Sequence, residues 1–384
     1  MSAAFRALAL ASLVLLSACV ARRPAPPVTP PAVVVPPPPA NALLAGVTPA
    51  APQPIAATDA ESALTAFRRS CPALVKRSDK SGLTQPQDWV SLCTEAMTVQ
   101  PGLAAAFFRD SFAWIRVGEG KAFATGYYEP EIAGSRTPGL GYQVPIYRVP
   151  PDLVRCTRPD GAAGRGRIDE TGTCVLYFTR AEIVDGALAG KALELAWAAD
   201  PIDLFFLQIQ GSGRIKLPDG GVMRIGYAEQ NGREYVAVGR LLRERNLLPP
   251  GGASMAAITA WMRAQPDGGR SLMRENPSYI FLRELTGPGP LGALGVPVSV
   301  SDSVAADPAF VPLGAPVFLN LDRREANGLW VAQDTGGAIK GANRFDAFWG
   351  GGPDAARIAG GMSASGSALI LLPRAAAARA QARP

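Results

Sequence analysis

Apolar residues recur at three- and four-residue intervals through ATDAESALTAFRRSCPALVKRS, residues 57–78, with Thr58 or Asp59 placed to cap the helix this spacing predicts. QPQDWVSLCTEAMTVQPGLAAAFFRDSFAWIRV, residues 85–117, continues the helical spacing in two pieces, broken at Pro101-Gly102. After about residue 120 the pattern changes. GYQVPIYRVP, GTCVLYFTR, IDLFFLQIQGSGRIKL, GVMRIGYAEQNGREYVAVGRLL and APVFLNLDRREANGLWVAQD are β-branched and aromatic runs divided by Gly, Asp and Asn turns. Such a pattern predicts many short strands of the kind found in antiparallel barrels, not repeated βαβ units. Short helices interrupt it at FTRAEIVDGAL, LLRERNLLP, MAAITAWMRAQP and SLMRENPSYIF, and no internal repeat is visible.

The 384 residues suffice for two domains, and 48% hydrophobic with 18% charged residues is a globular composition. With 41 Gly and 36 Pro, turns are plentiful, which agrees with short strands. The formal charge of +6 suits an anionic partner, but the basic residues are scattered and form no stripe suited to nucleic acid. There is no histidine, which excludes Ser-His-Asp and Cys-His nucleophile systems and histidine-containing zinc sites. Proton transfer is left to carboxylates, Lys, Tyr and Cys.

The chain opens with Arg6, an apolar run from Ala7 to Leu16 and then Leu16-Ser17-Ala18-Cys19. Small residues before a cysteine resemble a bacterial lipoprotein signal, so residues 1–19 are expected to be a signal with Cys19 as the acylated first mature residue. Val20 after it fits sorting to the outer membrane, with the body in the periplasm. Residues 20–57 are expected to be a Pro/Ala tether, and residues 374–384 a flexible tail. Cys71, Cys93, Cys156 and Cys174 contain no CxxC pair, so metal binding is not expected. Nearest pairing would join Cys71 to Cys93 and Cys156 to Cys174; buried free thiols are the alternative.

Chemistry concentrates in four places. QDTGGAIKGANRFDAFWGGG, residues 333–352, carries Asp334 and Asp346, with Phe345 and Trp349 as aromatic neighbours that would raise a carboxyl pKa or stack on a sugar ring. Turn aspartates are the plain alternative, and Lys340 lacks the spacing of a phosphate loop. GYYEPEIAGS offers Tyr127, Tyr128 and Glu129 for a saccharide groove, or a simple hairpin with exposed acids. In QIQGSGRI, Gln208 and Gln210 are expected on one side of a strand, followed by Gly211, Ser212 and Gly213, where a ligand could approach the backbone. Asp307 stands in AADP.

Taken in order, GYYEPEIAGS, DLFFLQIQGSGRI, YAEQNGREYVAVGR, ENPSYIFLRE, AADPAFVPLGAPVFLN and QDTGGAIKGANRFDAFWGGG resemble the membrane-bound lytic transglycosylase A family, which ends in a 3D domain named for three aspartates. The resemblance runs from about Ser70 to Pro373. It implies an all-β dominated fold, with a double-psi β-barrel body formed by residues 58–132 and 240–373, an inserted β-barrel substrate domain over 133–239, and peripheral short helices. It implies Asp346 as the catalytic acid and base, Asp334 as its neighbour in the active site, and Asp307 as architectural. In the stretch ending at Ser303, relatives more often carry arginine where this chain has Asp302.

The implied reaction cleaves the MurNAc-β-1,4-GlcNAc bond of peptidoglycan without water and leaves 1,6-anhydromuramyl ends, with no cofactor. Implied partners are glycan strands, outer-membrane lipid through Cys19, and other wall-remodelling proteins, with no nucleic acid. A hydrolase of muramidase type and a peptidoglycan-binding lipoprotein without turnover remain as alternatives.

Overall fold

The computed structural model describes residues 38–249 and 254–382. Cys19 and the first part of the expected tether lie outside the described residues. The long helix forms as Ala57–Leu74, but it starts from Ala56 without a side-chain cap, and Asp59 sits in its first turn. There the carboxylate faces the positive end of the helix dipole. Its buried face carries Phe67, which packs against Trp89, Phe107, Phe108 and Phe112 from the segments that follow. Val90–Thr98 and Ala104–Asp110 are the two further helices, separated at Gly102, whose positive φ of 85° and whose amide bond to Glu61 fit the break at Pro101-Gly102.

These helices cover an eight-stranded sheet with the order Val47–Pro49, Phe112–Val117, Ser363–Pro373, Pro316–Leu321, Gly328–Asp334, Ser303–Ala306, Arg344–Gly351 and Lys121–Glu129; the last strand also pairs with Ser363–Pro373. A six-stranded sheet has the order Ile280–Glu284, Val222–Gln230, Ser212–Lys216, Glu131–Ser135, Glu194–Ala198 and Val144–Tyr147. Its own apolar cluster holds Ile132, Ile146, Leu204, Leu207, Ile215 and Ile225. A three-stranded sheet of Val154–Thr157, Ala163–Ile168 and Cys174–Val175 stands apart.

The expected all-β pair of barrels is not what forms. Helices and strands occupy similar lengths of chain, so the fold is mixed α/β and not all-β dominated. The six-stranded sheet runs open between edge strands Ile280–Glu284 and Val144–Tyr147. Part of the difference has a local cause. PIDLFFLQIQ, read as a strand, is the helix Pro201–Gln210: Asp200 caps it by accepting the amides of Ile202 and Asp203, Pro201 occupies its first turn, and Gly211 ends it in the left-handed region. Burial all round made its apolar pattern look continuous, and that pattern does not distinguish a buried helix from a strand.

Two segments expected to be loose are part of the body. Residues 42–49 form the short helix Ala42–Ala45, with Ala42 fully buried, and the edge strand Val47–Pro49. At the other end, Arg374–Gln381 is a helix that buries Ala376, Ala377 and Ala380 and pairs Arg379 with Asp88 at 2.5 Å. Cys71 is bonded to Cys93, and Cys156 to Cys174. The first bond ties the long helix to Val90–Thr98, and the second ties the outer strands of the three-stranded sheet.

Candidate active site

Three neighbouring strands bring the two aspartates of residues 333–352 together. Ser303–Ala306 lies between Gly328–Asp334 and Arg344–Gly351, and its Ala305 is the register partner of both Asp334 and Asp346. With adjacent strands about 4.8 Å apart, the two backbones stand roughly 10 Å from each other. On the other side of Arg344–Gly351 runs Lys121–Glu129 in parallel, with Thr125 opposite Asp346 and Tyr127 opposite Phe348. Strand alternation places Thr125, Tyr127 and Glu129 on one face, and two of these side chains reach the acids.

The two carboxylates are bonded unequally. Asp334 has both oxygens engaged: Oδ1 accepts the amides of Ala293 and Thr335, each at 2.8 Å, and Oδ2 accepts the Tyr127 hydroxyl at 3.1 Å. Asp346 accepts one bond from the described residues, from the Thr125 hydroxyl to Oδ1 at 2.6 Å. Thr125 in turn accepts from the Arg344 guanidinium at 2.8 Å, which leaves the threonine proton for Asp346. Asp346 Oδ2 therefore has no hydrogen-bond partner among the described residues.

Burial pushes both acids up to about 6, against an ordinary aspartate near 3.8. For Asp346 the Thr125 hydrogen bond and the Arg344 charge oppose the shift, while the neighbouring Asp334 charge adds to it. For Asp334 the two amide bonds and the tyrosine hydroxyl oppose it. Burial and both aspartate charges hold the Tyr127 hydroxyl well above the usual tyrosine range, so Tyr127 is a donor here and not a base.

The remaining expected site residues divide by role. Tyr127 packs on Phe348 with ring centroids 5.0 Å apart and lies with the acids. Tyr128 is half-buried at the Met255 sulfur, and its amide is held by Gln210 at 3.1 Å. Glu129 has one buried carboxylate oxygen without a partner, and burial raises its pKa. Trp349 packs edge-on against Trp330, and its indole nitrogen is buried without a partner. Lys340 is exposed on the loop between the acids. Phe345 is fully buried and belongs to the core.

Gln208 is also internal: it accepts from Arg180 at 2.6 Å and donates to the Ile280 carbonyl at 3.0 Å. Gly211 ends the helix, Ser212 is buried, and Gly213 lies where a Cβ would strike Leu207 at 2.4 Å. Buried Asp307 accepts the amides of Ala309 and Gly341 at 3.0 and 2.8 Å, pinning the loop that leads into the Asp346 strand. Asp302 is buried and faces Arg69 at 3.9 Å. No cluster of three or more Cys, Asp and Glu side chains suited to a metal ion occurs among the described residues.

Sequence reading missed Thr125 and Arg344. Their signal was two-residue alternation: Thr125 is two positions before Tyr127, and Arg344 two before Asp346. Which of the many Thr and Arg residues meet an acid depends on strand register, and one sequence does not show that.

Residues 123–283 match the MltA specific insert domain and residues 302–372 the 3D domain. The membrane-bound lytic murein transglycosylase A of Vibrio cholerae is 32% identical over 253 residues, 63% of this chain and 63% of that protein, so the match spans less than two thirds of the curated relative. A crystal structure of membrane-bound lytic murein transglycosylase from Agrobacterium tumefaciens superposes with a TM-score of 0.79 at 33% identity, over 87% of this chain and 99% of that one. Escherichia coli MltA with bound chitohexaose superposes with a TM-score of 0.63 at 27% identity, over 85% and 94% of the two chains. With both domains matched in order and the fold shared over nearly all of a one-third-identical solved chain, this chain belongs to the membrane-bound lytic murein transglycosylase A family.

Proposed function

We propose that the chain is a peptidoglycan lytic transglycosylase that cleaves the MurNAc-β-1,4-GlcNAc bond and forms 1,6-anhydromuramyl ends. The observation that carries this reading is the inequality of the two acids: Asp346 keeps one oxygen unbonded, whereas Asp334 has both engaged. Family membership and the chitohexaose bound by the Escherichia coli relative support glycan strands as the ligand.

Asp346, protonated in the fraction of molecules that a value of about 6 allows, donates from Oδ2 to the leaving glycosidic oxygen. Positive charge develops at the muramyl anomeric carbon. The ionised Asp346 then takes the proton of the sugar's own C6 hydroxyl as that oxygen attacks the same carbon. Intramolecular attack has the effective concentration that water lacks. Arg344 and Thr125 fix which oxygen of Asp346 is held and which is free. Asp334 anchors Tyr127, and its charge disfavours ionisation of Asp346. A hydrolase needs a second carboxylate to activate water or attack the sugar, and saturation of Asp334 disfavours it for that task.

Tyr127, Tyr128, Glu129, Lys340 and Trp349 are assigned to the glycan path. Gln210 supports it by holding the Tyr128 amide, whereas Phe345, Gln208, Gly211, Ser212 and Gly213 are given structural roles. The inserted domain is taken to extend through Glu284, beyond the boundary at 239 expected from sequence, because Ile280–Glu284 pairs with Val222–Gln230. Acylated Cys19 would anchor the protein in the outer membrane, with the body in the periplasm beside other wall-remodelling proteins. Both disulfides suit that oxidising compartment. Mass spectrometry of digested sacculi tests the reaction: anhydromuramyl ends are expected, and reducing muramic acid ends would overturn it.

A further inference from the structure

Away from the acids, the three-stranded sheet borders a cleft of about 570 Å³ lined by the segments Arg158–Asp160 and Cys174–Leu176 and by Arg167, Asp169, Phe178, Glu182 and Arg233. The acids around it are engaged, Asp169 and Glu182 each through one oxygen. Asp160 faces Arg158 at 3.6 Å, Asp169 accepts the hydroxyl and amide of Thr171 and the amide of Thr173, and Glu182 accepts the hydroxyl and amide of Thr179. Two guanidiniums keep their terminal N–H groups without a hydrogen-bond partner among the described residues. Arg167 lies over the Phe178 ring at 4.7 Å, and its Nε is buried without a partner; Arg233 uses only Nε, on the Tyr177 carbonyl at 2.7 Å. Among the described residues, neither has a carboxylate within 4.0 Å, although, after the Thr179 hydrogen bonds, their charges help to hold Glu182 below the usual carboxylate range, as Arg167 does for Asp169 after its Thr171 and Thr173 bonds. The floor beside them is apolar, formed by Val175, Leu176 and Phe178.

We propose that this cleft binds an acidic peptide, with Arg167 and Arg233 taking carboxylates while Leu176 and Phe178 carry the apolar part. Guanidinium forks suit carboxylates, and the aromatic face under Arg167 holds its fork in place. Position supplies the identity of the peptide. Arg233 is two residues from Tyr235, whose side chain lies against Gly337 in the loop between Asp334 and Asp346, where a Cβ on the glycine would come within 3.6 Å of it. A glycan passing the acids would thus have its muramyl-linked peptide, rich in carboxylates, next to the cleft. This choice of ligand rests on the transglycosylase reading; the carboxylate chemistry of the cleft does not.

Calorimetric titration of the full chain with an N-acetylated stem tripeptide, in free-acid and amidated forms, tests it. The free acid is expected to bind and the amidated form not. Arg167→Gln should weaken binding about tenfold, the loss expected for one charge-assisted contact, and Leu176→Glu by about as much because it sets a like charge beside the peptide's carboxylates, while the remote Arg357→Gln leaves it unchanged. Leu176 is exposed, so its variant removes nothing from the core. On peptide-bearing glycan both variants should raise KM at constant kcat, with turnover of peptide-free glycan unaltered. No binding of the acid form, equal binding of the amidated form, or equal KM changes on both glycans would overturn the proposal. Selective peptide binding by a protein that cleaves neither glycan would uphold the cleft and remove the transglycosylase reading.

Discussion

Around Asp346, polar side chains converge on a carboxylate and leave one oxygen open, whereas around Gln208 they close on one another. Both segments mix glycine with polar residues beside an apolar run, and both looked suited to contact a ligand. The difference lies in what each backbone is doing. Residues 344–351 are a strand between two partners, so alternate side chains emerge on a face shared with Lys121–Glu129. Residues 208–213 are the end of a helix and the start of a strand, where Gly211 supplies a left-handed turn and Gly213 a close approach to Leu207. Glycine marks tight geometry in both cases, and only the neighbours decide whether the space is filled by protein or left for substrate.

The strongest way to break this contrast is Asp346→Asn, expected to lower kcat by about a thousandfold as the proton donor and acceptor is lost. Product release from purified sacculi measures it. An active variant would place the proton work elsewhere. Gln208→Leu should leave chemistry intact but destabilise the fold by about 3 kcal/mol, because buried Arg180 loses a partner for its charge. Urea unfolding reads this loss. A stable Gln208→Leu variant with raised KM would instead give Gln208 a role in the groove.

Asp346→Asn has a second expected effect, on stability. The carboxyl is raised in the folded state to about 6, so its contribution is fully present below the unfolded value near 3.8 and is lost as pH rises through about 6. At pH 7.5 the folded protein therefore carries the cost of a desolvated charge. The amide should be more stable there by about 1 to 2 kcal/mol, with the difference vanishing near pH 4. Thermal melts at the two pH values check the sign.

Thr125→Val should reduce kcat about tenfold, a loss in keeping with one charge-assisted hydrogen bond. Because the threonine bond favours the ionised form, the Asp346 titration should move upward in the kcat pH profile. An unchanged profile would mean that Thr125 only packs. The smallest effect is expected from Lys340→Ala, a two- to fivefold increase in KM at low salt, as for a solvated charge.

Helices with distinct apolar spacing were legible because their amphipathic face needs no long-range information: Ala57–Leu74 and Val90–Thr98 fall within the segments that predict them. The strand ending in Asp334 is buried on both faces and was legible instead from its short apolar, aromatic and β-branched run between turn residues. Pro201–Gln210 was not, since a helix buried by both its sheet and the helices beyond it shows no polar face. Residues 42–49 and 374–381 looked loose from their proline and alanine content, yet small side chains are what allow Ala42, Ala376 and Ala377 to sit fully inside the body. The departure from an all-β expectation follows from these cases together.

By itself the sequence determined the inventory: no histidine, two aspartates in a glycine-rich run, two tyrosines before an acid, and an order of motifs that marks the family. Tertiary structure decided the roles. Ala305 brings Asp334 and Asp346 to either side of one strand, parallel pairing delivers Thr125 to Asp346, and burial raises both acids. The reason is that a side chain's chemistry belongs to its residue, while its protonation and bonding depend on desolvation and on partners up to 221 positions distant in the chain.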